Sequence, residues 1–315
     1  MSRFVVHRLL VSLPLVGLVL FFGFLLLQIV PSDPAVLVAG ESASQQTIEE
    51  IRRQMGLDRP VLWQFLLYVE RLAGGDLGRS LITNVPVARE LGHTIWPTLE
   101  LLLGGMAWGA PAGILLGTFA ALRRGRPTDR ALMAIAVAGV SMPIFTLGLV
   151  LIEFVGFRWE MLPVEGRGGP PWTAEGLRHL LLPSLTLGAV LMGPVARMTR
   201  TTLLEILGLD FVRTARAKGM PERIVVFRHG LRNALIPVIT LIGLQAGYLL
   251  GGAVVTETIF SWPGVGRLAV GAITGGDLPL AQGAILTLAL SFIVINIAVD
   301  VAYAFVDPRV QTGQT

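Results

Sequence analysis

The amino-acid sequence predicts an all-α polytopic membrane protein with six transmembrane helices, and three observations support this prediction. Hydrophobic residues make up 53% of the 315 residues and charged residues only 15%, whereas soluble domains are usually about 25% charged. The mean hydropathy is +0.70. Six runs without Asp, Glu, Lys or Arg approach or exceed the ~20 apolar residues with which a helix crosses a bilayer. The runs are Leu9–Val30, Leu101–Leu122, Ala131–Ile152, Leu180–Ala196, Ala234–Thr256 and Leu278–Val299.

The first and third runs need a further comment. Leu9–Val30 stands where a signal peptide would, but its 22 residues exceed the about 7–15 of a signal-peptide core, so we expect an uncleaved span. In Ala131–Ile152 the pair Met142-Pro143 predicts a bend, because proline interrupts helical hydrogen bonding. Cysteine is absent, which excludes disulfides, thiol catalysis and cysteine-bound metal.

Arginine placement predicts the orientation, because positive charge concentrates in cytoplasmic loops. Arg3 and Arg8 precede the first run, four arginines lie in residues 123–130, and Arg197–Asn233 has eight basic against three acidic residues. The alternate loops are poorer in positive charge, so we expect both termini in the cytoplasm. The net charge of +4 then reflects membrane orientation, and no nucleic-acid partner is expected.

This topology divides the chain into four regions. Residues 1–30 hold the N-terminus and the first span, and residues 31–97 form an extracytoplasmic loop region. Residues 98–306 form a core of five spans that includes the cytoplasmic loop 197–233. Residues 307–315 form a cytoplasmic tail.

The loop region 31–97 contains signals for two helices. Thr47 and Glu50 form a capping-box pattern, and Gly56 suits the end of a short helix. Pro60 suits the first turn of a second helix. One face of that helix would carry Leu62, Phe65, Leu66 and Val69. A packed cap and a docking surface for an external partner are both compatible with this pattern.

The loop 197–233 contains a short helix with signals at both ends. Asp210 is a suitable N-cap, Gly219 tolerates the left-handed conformation that ends helices, and Pro221 prevents continuation. A helix of about eight residues is unstable alone in water, so it must pack on something. The alternative is a basic loop at the lipid headgroups. A second helix is expected over Pro221–Asn233, bending at Pro237 into the fifth span. Its apolar face would carry Ile224, Phe227, Leu231 and Leu235.

At these residues the chain resembles the binding-protein-dependent ABC importer permeases, in their dipeptide/oligopeptide/nickel branch. The generic permease loop has Glu-Ala-Ala before its glycine, and here Arg213-Thr-Ala215 stands in that place, as is usual in this branch. Gly243–Gly252 looks most like glutathione-type permeases. The resemblance covers nearly the whole chain and rests on Gly56–Pro60, Gly75–Ser80, Val212–Gly219, Arg228–Pro237, Glu257–Leu268 and Asp300–Arg309.

The resemblance implies a type I ABC importer permease fold in a bacterial inner membrane. It implies a second homologous permease subunit, two cytoplasmic ATPases that carry ATP and magnesium, and an extracytoplasmic binding protein that delivers a peptide-like solute. The chain itself is then a transport subunit without a cofactor and not an enzyme. Its single lysine, Lys218, follows Ala217 rather than a glycine-rich turn, so no Walker A motif is present.

Three groups of candidate residues follow. ATPase coupling is assigned by resemblance to Arg213, Thr214, Ala215, Arg216, Ala217, Lys218 and Gly219. Binding-protein docking is assigned to Gly75, Asp76, Leu77, Gly78, Trp262, Pro263 and Gly264. Polar span residues that are candidates for the translocation path are Ser141, Thr146, Gln245 and Asn296. Each polar residue within a span has the alternative of hydrogen bonding to a neighbouring helix. No metal site is expected, because the four histidines are scattered outside the spans.

Other transport and membrane functions remain as alternatives. A nickel-chelate importer belongs to the same branch. A secondary transporter normally needs ionisable residues within its spans, and Glu100, Glu153 and Asp300 lie only at the ends of runs. Intramembrane hydrolysis would need a nucleophile with a base, and the serines within the runs have no such companion.

Overall fold

The computed structural model describes residues 12, 14–25, 34–40 and 43–306, and these residues are almost entirely helical. Arg3, Arg8, part of the first predicted span and the tail 307–315 lie outside the described residues. Two compact units are formed. The core unit comprises Leu99–Trp262 and the described residues from Val294 onward, and the flanking unit comprises the described residues up to Thr98 together with Pro263–Ile293.

The flanking unit begins with the helices of the N-terminal region and shares two long helices with the core unit. Its own helices are α1 (Pro14–Leu25), α2 (Pro34–Ala39), α3 (Gln45–Gln54), α4 (Val61–Ala73) and, later in the chain, α12 (Val265–Thr274). Helices α5 (Val87–Leu122) and α13 (Leu278–Val306) begin in the flanking unit and continue in the core unit.

The remaining helices belong to the core unit. They are α6 (Pro127–Ser141), α7 (Ile144–Leu151) with a π-helical extension Ile152–Arg158, α8 (Ala174–Leu207), α9 (Asp210–Ala217), the single turn α10 (Glu222–Ile224), a π-helical segment Val225–Leu231, and α11 (Arg232–Ile259).

Four stretches among the described residues are long and apolar enough to cross a membrane: α5, α8, the continuous stretch Glu222–Ile259, and Leu278–Val299 of α13. The pair formed by α6 and the stretch Ile144–Arg158 is a fifth if it counts as one span. The pair bends by 102° at Met142-Pro143, which confirms the predicted bend. Within the first predicted span the structure describes Ser12 and the short helix Pro14–Leu25, so the sixth span stays a prediction.

Helix α8 lies at the centre of the core unit and packs closely against α5. A Cβ at Gly109, Gly113 or Gly117 of α5 would overlap backbone atoms of α8, so these glycines allow the two helices to approach. The buried cluster around this contact includes Leu101, Leu187, Leu191, Val195, Leu249 and Trp262.

The flanking unit has its own core, formed where the start of α5 packs against α12 and α13. The buried carboxylate of Asp277 accepts hydrogen bonds from Ser80 Oγ at 2.5 Å, from the Leu81 amide at 3.1 Å and from the Leu280 amide at 3.3 Å. These bonds satisfy a charge that is otherwise costly to bury. The apolar core consists of Val87, Leu91, Val265, Ala269, Ala272, Leu280, Ala281 and Ala284.

The two helices predicted in the loop region exist, with corrections to a cap and a face. Ser44, rather than a Thr47–Glu50 box, caps α3, because its side chain accepts the Thr47 amide at 3.2 Å. Gly56 ends α3 with a φ of +70°, as predicted. Helix α4 follows Pro60, but Leu62 and Leu66 are exposed. Its inward residues are Phe65 and Tyr68, whose rings contact the phenylalanines of α1.

Candidate functional site

Helix α9 begins one residue earlier than its cap signal predicted. Leu209 is the N-cap, with φ −76° and ψ 153°, and Asp210 is the first helical residue and makes no capping hydrogen bond. Its carboxylate instead lies 3.4 Å from the Arg213 guanidinium. The prediction of Asp210 as N-cap was therefore wrong, although an acidic residue in the first turn still interacts favourably with the helix dipole.

The C-terminal end of α9 has the predicted left-handed glycine. Gly219 has a φ of +76°. The Gly219 amide donates to Arg216 O at 2.9 Å and the Met220 amide donates to Ala215 O at 3.4 Å. This pair of bonds is a Schellman motif, which satisfies carbonyls that the helix end would leave free.

One face of α9 packs on the chain itself. Val212 and Ala215 are buried against Val225 and are flanked by Ile206, Leu207 and Met220. A helix of eight residues gains its stability from such packing rather than from its own hydrogen bonds. The buried side chain of Ala215 therefore attaches α9 to the neighbouring segments of the core unit.

Arg216 links α9 to the following turn. Its Nη2 and Nε atoms donate to the Glu222 carboxylate at 2.7 and 3.1 Å, and its Nη1 atom donates to Leu207 O at 3.4 Å. The hydrogen bond with Glu222 raises the pKa of Arg216 above its already high value. This bidentate contact holds α9 in a fixed orientation relative to α10, the turn that follows it.

The opposite face of α9 is exposed. It presents Arg213, Thr214, Ala217 and Lys218, which the sequence had singled out. It also presents two apolar side chains that sequence reasoning missed, Leu209 at 50% and Phe211 at 45% exposure. The sequence contained a signal for this exposure. Leu209, Phe211 and Val212 are close neighbours at the start of one short helix, so their side chains cannot all face inward. The exposed face thus combines basic, small and apolar side chains, a mixture suited to contact with another protein.

The segment after α9 differs from the predicted second helix. Its turns are π-helical, with hydrogen bonds from i to i+5, and its buried residues are Val225, Val226 and Gly230. Ile224 and Phe227, predicted to be inward, are exposed. The segment continues directly into α11 as one stretch to Ile259.

An ion pair between the buried Asp129 and the partly exposed Arg200 lies next to this site. Arg200 of α8 donates to the Asp129 carboxylate through Nε and Nη2, both at 2.7 Å. The same carboxylate accepts the Gly125 amide at 3.0 Å. The pair holds the turn between α5 and α6 against the end of α8 from which α9 follows.

The residues predicted for binding-protein docking are distributed over both units. In the flanking unit, Gly75 and Gly78 have φ values of +78° and +77°, and Asp76 Oδ1 accepts the Gly78 amide at 2.8 Å. Leu77 is partly buried, Pro263 is exposed and Gly264 is buried. In the core unit, Trp262 is fully enclosed at 0% exposure.

The polar span residues all lie in the core unit. Ser141 stands at the break between α6 and α7, and its hydroxyl donates to Val137 O at 3.1 Å. Thr146, Gln245 and Asn296 are half-buried. The Ser141 bond stays within its own helix and does not decide between a pathway and a packing role.

The carboxylates at the ends of the predicted spans are paired where their side chains are described. Glu100 is bound by Arg167 in a bidentate contact of 2.6 and 2.8 Å, and Glu153 lies 3.0 Å from Arg158. The Asp300 side chain lies outside the described residues. Each of the two described carboxylates therefore has an arginine partner.

The described residues thus form apolar spans with a short helix, α9, that packs on the chain between two of them. The family described as "Binding-protein-dependent transport system inner membrane component" matches residues 113–312. Its companion "Binding-prot-dependent transport system membrane comp, N-term" matches residues 1–88. The chain belongs to this family and is a multi-pass inner-membrane transport subunit.

Two curated relatives match over nearly their whole length. The chain is 44% identical to the glutathione transport system permease protein GsiC of Escherichia coli (strain K12) over 311 residues, 99% of both chains. It is 43% identical to the same-named protein of Shigella boydii serotype 4 (strain Sb227), again over 99% of both chains.

A solved structure shows the same fold. A chain of the MetNI methionine ABC transporter, in an inward-facing conformation, aligns with a TM-score of 0.57 and 20% identity, covering 69% of this chain and 96% of that chain. The type I ABC importer permease fold predicted from the sequence is thereby confirmed.

Proposed function

We propose that this permease moves glutathione or closely related peptides into the cytoplasm. The observation that carries the proposal is the 44% identity to glutathione permeases over 99% of the chain. The match extends through both soluble segments as well as the spans, so it covers the parts that meet partners.

In this proposal the partner subunits hydrolyse the ATP that drives transport. A P-loop requires a glycine-rich turn before its lysine, and Lys218 lacks one. Two cytoplasmic ATPases, which bind ATP and magnesium, would each receive a short helix from one of two permease subunits. The exposed face of α9 supports this role, because Leu209 and Phe211 offer apolar contact while Arg213 and Lys218 offer positive charge.

The internal attachments of α9 explain how a push on this helix would reach the spans. Val212 and Ala215 hold α9 to the end of α8, and Arg216 holds it to the turn that leads into α11. A movement of α9 as a rigid piece would therefore be transmitted to both helices at once. ATP binding and hydrolysis would cycle the pore between inward-open and outward-open states.

The remaining sites complete the proposal. Both termini and α9 face the cytoplasm, and an extracytoplasmic binding protein delivers the solute. It docks at the turn Gly75–Gly78 and at exposed Pro263, with Gly264 and the enclosed Trp262 shaping the latter segment. Ser141, Thr146, Gln245 and Asn296 line the translocation path.

The solute is tested with the complete transporter in proteoliposomes, together with its own binding protein. Glutathione, a neutral dipeptide and a nickel–histidine chelate are compared for their stimulation of ATP hydrolysis. We expect glutathione to stimulate most strongly. Stimulation by the nickel chelate alone would reassign the solute, and stimulation by none of the three would refute the peptide proposal.

A further inference from the structure

Helix α4 of the flanking unit presents an exposed apolar face. Leu62, Trp63 and Leu66 are 65%, 57% and 49% exposed. Leu62 and Leu66 are four residues apart, so they stand one above the other on the same side of the helix, with Trp63 at the edge of that side. Large apolar side chains gathered on one face are unfavourable in water. This face therefore needs a surface that covers it.

The inward side of α4 packs against α1, which belongs to the first predicted span. The ring centroids of Phe65 and Phe21 lie 5.4 Å apart, and those of Phe65 and Phe24 lie 5.5 Å apart. The ring of Tyr68 stacks on Phe24 with centroids 6.0 Å apart. Because Phe21 and Phe24 lie within the uncharged run Leu9–Val30, α4 lies beside apolar residues of a predicted span.

A second neighbour indicates the same depth for α4. A cavity of about 270 Å³ lies between α4 and the first turns of α13, and its walls include Leu67 and Tyr68 on one side and Leu278 and Gln282 on the other. Leu278 begins the stretch Leu278–Val299, which is long and apolar enough to cross a membrane. Helix α4 therefore lies at the end of this stretch that the predicted topology assigns to the extracytoplasmic side.

The exposed apolar surface of α1 continues onto α4. Leu18 and Phe22 of α1 are exposed. The Phe22 ring meets the Phe21 ring edge to face with centroids 5.6 Å apart, and Phe21 in turn contacts Phe65. Phe65 directly precedes the exposed Leu66 in the chain. Exposed hydrocarbon side chains in the middle of a predicted span face acyl chains, so the same surroundings extend to α4.

The length and polar residues of α4 suit a helix that lies along the membrane surface. Its 13 residues make it about 20 Å long, which is too short to cross a hydrocarbon core of about 30 Å. Its charged residues, Glu70 and Arg71, stand together near its C-terminal end. Tryptophan is enriched where hydrocarbon meets headgroups, because its ring is apolar and its N–H group is polar.

We propose that α4 lies in the extracytoplasmic interface of the bilayer, with Leu62 and Leu66 against acyl chains and Trp63 at the headgroups. A soluble binding protein approaches from the water and would not reach a face at the depth of the apolar residues of α1. The bilayer covers this face and anchors the loop region 31–97 to the membrane. The proposal is independent of the solute that the transporter carries.

The test measures the surroundings of α4 by electron paramagnetic resonance on the complete transporter, with cysteine-free partner subunits, in phospholipid nanodiscs. Because the chain has no cysteine, one introduced cysteine at a time carries a nitroxide label. Leu62→Cys and Leu66→Cys report on the exposed face of α4. Leu18→Cys on α1 is the control for lipid, and Glu49→Cys on the polar, exposed surface of α3 is the control for water. ATP hydrolysis confirms that each labelled variant assembles.

Relaxation of the label by oxygen, which concentrates in hydrocarbon, is compared with relaxation by a water-soluble nickel complex, with and without the binding protein. We expect oxygen to be severalfold more effective than nickel at Leu62→Cys and Leu66→Cys, as at Leu18→Cys, and the reverse order at Glu49→Cys. Stronger relaxation by nickel at both α4 positions would place this face in water and overturn the proposal. Weak relaxation by both reagents, or immobilisation of the labels when the binding protein is added, would show that a protein covers the face and would also overturn it.

A second measurement uses the parent chain without any substitution. A phospholipid that carries a diazirine on its acyl chain is activated by light in the same nanodiscs, and the labelled peptides are identified by mass spectrometry. We expect adducts within Val61–Ala73 as well as on α1. Adducts on α1 without any on α4 would contradict the proposal.

Discussion

Replacing Gly219 by valine tests whether the fixed end of α9 matters for transport. Gly219 has a φ of +76°, and a Cβ built there meets no atom within 4 Å. The cost of the substitution therefore comes from backbone conformation alone and is on the order of 1–2 kcal/mol for a non-glycine residue. Relieving that strain breaks the bond from the Met220 amide to Ala215 O and frees Met220 from the cluster under α9.

A cost of this size lowers the ratio of correctly oriented to displaced α9 by roughly 5–30-fold. We expect solute-stimulated ATP hydrolysis and uptake in proteoliposomes to fall, by at most that factor, with unchanged membrane insertion. Gly40→Val is the matched control, because Gly40 has a φ of +86° with an equally open Cβ position but follows α2. Gly219→Asn should be milder, since asparagine tolerates the left-handed region. Parental uptake in Gly219→Val, or an equal loss in Gly40→Val, would refute the reasoning.

Three further predictions concern the docking face, the ion pair and the topology. Ala217→Glu adds bulk and charge to the exposed face of α9, where an unpaired buried charge costs several kcal/mol; we expect loss of ATPase subunits on co-purification, whereas Ala217→Ser should retain them. Asp129→Asn leaves Arg200 without its carboxylate and should destabilise the core unit by roughly 1–3 kcal/mol, less than for a fully buried pair because Arg200 is partly exposed. Thermal unfolding measures this, and an equal shift in the exposed control Asp58→Asn would contradict it. Because the chain has no cysteine, Ile82→Cys should react with an impermeant maleimide added from outside, and Lys218→Cys only after permeabilisation; the reverse pattern would overturn the orientation.

The structure also changes which residues report topology. Ser80 ends the stretch Gly75–Ser80 that carries part of the family resemblance and lies in the predicted extracytoplasmic loop, but its side chain is buried and bonds Asp277. A cysteine there would be shielded from reagents and would disturb the buried carboxylate. Ile82, two residues on, is 62% exposed and makes a better reporter.

Local signals were sufficient to predict α9, because its end depends on residues within the helix itself. Gly219 and Pro221 act through backbone conformation, and the predicted end agrees with the observed one. The start was wrong by one residue, because Leu209 takes the extended conformation of the cap although Asp210 has the better capping side chain. Side-chain preference at a cap is a weaker constraint than a backbone that only glycine adopts readily.

The segment after α9 shows what a periodic pattern misses. Ile224, Phe227 and Leu231 have α-helical spacing, but the chain widens into π-helical turns at Val225–Leu231. A Cβ at Gly230 would stand only 3.0 and 3.1 Å from Leu203 and Leu207, so contact with α8 helps to decide which residues are buried. On α4 the predicted Phe65 does face α1, but Tyr68 joins it there while Leu62 and Leu66 are exposed.

Uptake driven by ATP is the measurement that tests the central claim most directly. The chain is reconstituted with its partner permease and ATPases in proteoliposomes that hold ATP inside, with the binding protein and labelled glutathione outside and the proton gradient collapsed by an uncoupler. The account predicts uptake that stops when ATP or the ATPases are omitted. Uptake of the same solute by this chain alone, without ATP, would contradict it.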